Sequence, residues 1–105
     1  IHALAHITGG GLVGNVPRVL PEDLTAELRS GAWPMPPVMQ WIQAQGGIET
    51  AEMHRVFNCG IGMVVVVAAE QAESVAAHLT AQGERVFQIG QVRTRQSGED
   101  QTVIS

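Results

Sequence analysis

The stretch Ala5-His6-Ile7-Thr8-Gly9-Gly10-Gly11-Leu12-Val13-Gly14-Asn15-Val16-Pro17-Arg18-Val19-Leu20 decides how the rest of the chain is read. Ile1, Ala3, Ala5 and Ile7 alternate with His2, Leu4, His6 and Thr8, the mostly two-residue period of a strand that runs into the glycines. Beyond them Leu12, Val13, Val16, Val19 and Leu20 recur at helical spacing, which predicts a helix from Gly10 or Gly11 to a stop at Pro21. Three consecutive glycines lose much backbone entropy on folding and give the core no side chain, so they imply positive φ or a close approach to the main chain. Two readings fit. Backbone N–H groups at a strand-to-helix turn suit a phosphate or another anion, and the same glycines let a helix pack tightly on its sheet. The spacing is neither a Walker loop nor a dinucleotide fingerprint, because no Gly-Lys-Ser/Thr follows and no acidic residue ends a second strand about twenty positions on.

Composition narrows the function classes. A length of 105 residues is one domain. It is small for an enzyme carrying both a nucleotide site and a substrate cleft. Its opening on Ile1, in what reads as a strand interior, predicts a piece of a longer protein. All six basic residues are arginines and the formal net charge is −4, which argues against broad binding to a nucleic-acid backbone. One cysteine excludes an internal disulfide framework and a cysteine-based zinc site, and fits a reducing, cytoplasmic setting. The longest apolar run, residues 61–69, is far shorter than a bilayer span, so a soluble protein with no membrane partner is expected.

Leu24–Arg29 reads as a short strand, and the three prolines of Trp33-Pro34-Met35-Pro36-Pro37 exclude regular structure until Pro36-Pro37 opens a helix over residues 38–45. Val38, Trp41 and Ile42 form that helix's apolar stripe, expected to bury against Trp33. Residues 48–57 predict a second helix, capped by Thr50, with Met53 and Val56 or Phe57 inward. The continuous β-branched run Met63–Ala68 is read as a central strand covered on both faces. Residues 70–82 predict an amphipathic helix with Ala72, Val75, Ala76 and Leu79 inward and His78 outward. Residues 85–93 read as a strand, paired as a hairpin with a closing edge strand over 101–104. The order β-α-β-α-α-β-α-β-β predicts an α/β (α+β) layered domain on a mixed sheet with flanking helices, its two glycine-bearing junctions at one end.

Two motifs in order, His6-Ile7-Thr8-Gly9-Gly10-Gly11 and Glu52-Met53-His54-Arg55-Val56-Phe57-Asn58-Cys59-Gly60-Ile61-Gly62-Met63, closely resemble the C-terminal domain of phosphoribosylformylglycinamidine cyclo-ligases, or aminoimidazole ribonucleotide (AIR) synthetases, of purine biosynthesis. Asn15-Val16-Pro17-Arg18-Val19-Leu20-Pro21, the Trp/Pro segment and Ile89-Gly90 extend the resemblance over residues 1–105. It implies a ligase that uses ATP and Mg²⁺ to activate the amide oxygen of formylglycinamidine ribonucleotide (FGAM). An amine nitrogen then closes the imidazole ring, releasing ADP and phosphate. It further implies that ATP and metal bind mainly in a preceding N-terminal domain, which carries much of a homodimer contact. The superfamily alternative is a non-catalytic α/β module that binds a ligand or partner.

That reaction needs a seat for the ribose phosphate and stabilisation of the activated amide. Thr8, Gly9, Gly10, Gly11, Asn15 and Arg18 are the candidates for binding the phosphate-bearing substrate, and the Gly60 and Gly62 backbone is expected to line the opposite wall. His6 and Asn58 are the catalytic candidates, His6 as a hydrogen-bond partner of the amide or developing imidate. Arg18 and Arg55 are each either a phosphate ligand or a surface charge, Cys59 reads as a buried structural thiol rather than a nucleophile, and His54 has no assigned role.

Overall fold

A computed structural model describes residues 2–105. The chain order is β1 (Ala3–His6), α1 (Gly11–Asn15), a 3₁₀ turn (Val16–Val19), β2 (Leu24–Leu28), a second 3₁₀ turn (Ser30–Ala32), α2 (Pro37–Gly46), α3 (Thr50–Val56), β3 (Met63–Val66), a third 3₁₀ turn (Ala69–Gln71), α4 (Ala72–Ala81), β4 (Gly90–Thr94) and β5 (Thr102–Ile104). This is an α+β domain, as the element order implies. Its strands form two sheets: the antiparallel pair β1–β3, and a mixed sheet of order β4-β2-β5.

The pairing corrects two expectations. Met63–Val66 is half of a two-stranded ladder, with Ala5 opposite Val64 and His6 opposite Met63. An unbroken apolar run nevertheless suits it. Val64 packs on the core, while Met63 and Val65 face Val75 and Leu79 of α4 across an open groove of about 660 Å³. The last two strands do not form a hairpin, because β2 lies between them, antiparallel to β4 and parallel to β5. Side chains join the connection between them to β2: Thr25 Oγ1 donates to Asp100 O at 2.7 Å, and Arg93 bridges Glu27 of β2 and Glu99. β4 starts at Gly90 rather than at residue 85, and a Cβ on Gly90 would strike the backbone of Glu27.

Pro17 explains a further difference. Lacking an N–H, it cannot continue the α-helical ladder, so the helix expected to reach Pro21 is five residues of α-helix followed by a 3₁₀ turn. Around it lies the core: Ala5, Ile7, Leu12, Val16, Ala26, Leu28, Trp33 and Ile61. Ala5 comes from the inner face of β1, Ile7 follows that strand directly, and Ala26 and Leu28 come from β2, so α1 and its 3₁₀ extension lie between the two sheets. The stripe on α2 does not join this core. Val38 and Trp41 are exposed, although Trp33 is buried. In α3 the buried residues are Met53 and His54, while Val56 is exposed, and Glu49 rather than Thr50 stands at the N-cap position, with no side-chain capping bond. Ala72, Val75, Ala76 and Leu79 share the half-buried face of α4 as expected.

Candidate functional site: two glycine junctions at one end of a ladder

Antiparallel pairing puts the C-terminal end of β1 beside the N-terminal start of β3. Ile7 N donates to Gly62 O at 2.9 Å, so residues 7–11 and 58–62 lie next to each other. The two motifs, 46 residues apart when counted from His6 to Glu52, are neighbours in space.

The first junction is a turn closed by Gly11 N donating to Thr8 O at 3.0 Å, with Gly10 at φ 95° and Gly11 at φ 61°. Asn15, which is buried, holds its shape. Its Nδ2 lies 2.8 Å from Gly11 O and 3.3 Å from both Thr8 O and Gly9 O, and its Oδ1 accepts from Thr8 Oγ1 at 3.3 Å. These bonds engage the amide of Asn15 and the hydroxyl of Thr8 inside the protein, so both residues shape the turn. The three glycines divide by task. A Cβ on Gly11 would run into the carbonyl oxygens of His54 and Phe57, so Gly11 is glycine because α1 and α3 meet there. Gly10 needs its left-handed backbone. Gly9 is exposed, has ordinary φ and has no atom within 4 Å of where a Cβ would stand. Its N–H and that of Gly10 donate to no group among the described residues.

The second junction is also a turn. Ile61 N donates to Asn58 O at 3.1 Å, and Cys59 and Gly60 between them have φ of 53° and 98°, the signs of a type I′ turn. Asn58 Oδ1 accepts from Gly60 N at 2.9 Å, which leaves its side-chain NH₂ uncommitted among the described residues. Gly60 is tightly placed, since a Cβ there would lie 2.8 Å from Pro36 Cδ. Trp33 Nε1 donates to Cys59 O at 3.0 Å and so fixes the turn from below. Cys59 is fully buried, and burial pushes its thiol pKa up, which makes the thiolate scarce and the residue structural.

His6 is exposed on the outer face of β1, opposite Met63 and two residues before Thr8. Arg18 is exposed on the 3₁₀ turn and makes no ion pair among the described residues. Arg55 is committed: its guanidinium pairs with Glu52 through contacts of 2.9 and 2.5 Å, the surface-charge reading. His54, which had no role in the sequence reading, is buried behind the first junction with its ring edge-on to Trp33 at 5.7 Å. Its place on α3 gave little warning, because α3 has only two turns and the buried pair Met53-His54 is adjacent rather than spaced by three or four.

What this arrangement offers a ligand is two backbone N–H groups without a partner among the described residues, on exposed Gly9 and half-buried Gly10, beside the Asn58–Gly62 turn and with exposed His6 nearby in sequence. Such donors suit an anion. Residues 1–102 match the model of the family described as AIR synthase related protein, C-terminal domain, and the chain belongs to that family. Among curated relatives it is 61% identical over 104 residues to the phosphoribosylformylglycinamidine cyclo-ligase of Burkholderia vietnamiensis and 60% identical over 104 residues to that of Cupriavidus necator. Each alignment covers 99% of this chain and 30% of the relative, so the chain spans about a third of their length.

Proposed function

We propose that this chain is the substrate-side domain of an ATP-dependent phosphoribosylformylglycinamidine cyclo-ligase, which closes the imidazole ring of FGAM to give AIR with ADP and phosphate. The observation that carries this reading is the pair of backbone N–H groups on exposed Gly9 and half-buried Gly10, without a partner among the described residues and set beside the Asn58–Gly62 turn. Relatives named for that reaction, at about 60% identity, support it.

In this proposal the Gly9 and Gly10 amides hold the ribose phosphate. Direct hydrogen bonds to an anion are stronger than neutral ones. Asn58 Nδ2 and the Gly62 N–H form the opposite wall. His6, on the same edge, donates to the amide oxygen as charge develops there, an interaction stronger in the transition state than in the ground state. Arg18 is the nearest cation in sequence and supplies long-range attraction. ATP, when bound, supplies the phosphoryl group that makes the amide oxygen a leaving group. This chain's residues do not fit the metal, because no group of three or more His, Cys, Asp or Glu among the described residues is placed to hold an ion. In this proposal ATP and Mg²⁺ are held mainly by an N-terminal domain outside this chain, in a homodimeric, cytoplasmic enzyme.

Steady-state kinetics at the relatives' full length test the assignment. Gly9→Ala should raise KM for FGAM several-fold in a normally folded enzyme, and His6→Ala should lower kcat more than it raises KM. An unchanged KM for Gly9→Ala removes the phosphate from this turn.

A further inference from the structure

His54 presents a problem that the cyclo-ligase reading does not address. The residue is 3% exposed, and neither Nδ1 nor Nε2 has a hydrogen-bond partner among the described residues. A neutral imidazole carries one donor and one acceptor. Native proteins satisfy the great majority of such buried groups, and each exception calls for an explanation. Here the ring rests edge-on against Trp33 at an interplanar angle of 74°, while the residue's own carbonyl occupies the space that a side chain on Gly11 would need. A single residue thus packs Trp33 with its ring and abuts the glycine turn with its backbone.

We propose that His54 is an acid-sensitive latch: its neutral ring packs on Trp33 while its backbone abuts the glycine turn, and protonation releases α3 and loosens that turn. α1 has no ionisable side chain, and the ring's aromatic partner is the uncharged Trp33. On its own helix, Glu52 and Arg55 pair with each other at the surface and Glu49 is exposed at the helix start. Burial alone accordingly holds the imidazole below its ordinary value of 6.5, with no charge contributing. The sign follows from linkage: the unfolded or opened chain takes up a proton near pH 6.5 and the closed form does not, so the closed form is fully favoured above that pH and loses ground as pH falls below it.

Urea unfolding of the protein at the relatives' full length at pH 7.5 and pH 5.5, followed by far-UV circular dichroism, measures the effect in wild type and in His54→Phe. Phenylalanine retains an aromatic edge against Trp33 and removes both orphaned nitrogens. For one site with an open-state value of 6.5, the unfolding constant of wild type should rise up to about tenfold more than that of the variant between the two pH values. Equal pH dependence in the two proteins overturns the latch. Should His54→Phe fail to fold, histidine ring signals of wild type decide by NMR, alongside amide exchange of residues 50–56. A His54 ring that remains neutral until those amides lose protection supports the latch, and one that protonates near pH 6.5 with α3 still protected overturns it.

Discussion

Replacing Gly11 by alanine should destabilise the domain by about 2–5 kcal/mol, whereas the same change at Gly9 should cost no more than about 0.5 kcal/mol. The first figure has two parts. A non-glycine residue at φ 61° costs about 1–2 kcal/mol, and a methyl group forced into the close-packed carbonyls of His54 and Phe57 costs about 1–3 kcal/mol more, because α1 and α3 must separate to admit it. Neither part applies at Gly9, which has ordinary φ and open space beside it. With a urea slope of about 1–2 kcal/mol per molar for a small domain, the loss at Gly11 moves the midpoint by roughly 1–5 M. Trp33, buried against His54, makes fluorescence a suitable probe of the transition. A Gly11→Ala domain within about 0.5 kcal/mol of wild type refutes the claim that this glycine is fixed by helix packing. The comparison also separates folding from binding, since any loss of FGAM affinity in Gly9→Ala arises without a loss of stability.

Further outcomes follow from the same contacts. Asn15→Leu removes the side-chain donor to the carbonyls of Thr8, Gly9 and Gly11, leaving Thr8 O its bond from Gly11 N, and should cost about 1–3 kcal/mol in chemical denaturation, with altered exchange at Gly9 and Gly10. Arg93 draws the Glu99 carboxyl down to about 2. Stability from this pair is present above the ordinary value of 4.5 and drains away as pH falls from there towards 2, a slope that Glu99→Gln should flatten in acid melts. Cys59 should react with a thiol reagent at the rate of opening rather than of free thiol, and urea below the midpoint should accelerate the labelling.

The chemistry-bearing parts of the fold were more legible than its strand pairing. Gly9–Gly11 and Asn58–Gly62 stood out because glycines and an asparagine at element boundaries mark unusual backbone, and both junctions do contain positive φ. Their proximity was expected from strand ends and is realised through the Ile7–Gly62 bond. Pairing was harder to read, because hydrophobic period specifies which face is covered and not which strand is the neighbour. Residues 101–104 alternate equally well beside β4 or beside β2, and the choice depends on contacts 75 or more residues apart in sequence, such as Thr25 with Asp100 and Ser30 with Ser105. Similarly, Val38 and Trp41 are apolar at helical spacing, and nothing local indicates that the helix lies away from the core. The separate tasks of the three glycines were invisible for the same reason, since the partners of Gly11 come from α3.

The central claim is that the Gly9–Gly10 amides receive the substrate's phosphate. Glycine-selective ¹⁵N labelling of the protein at the relatives' full length, titrated with FGAM, measures this directly. Saturable shifts are expected at Gly9, Gly10 and Gly62, reproduced in part by ribose 5-phosphate. Binding that saturates while those three amides stay unmoved would contradict the claim.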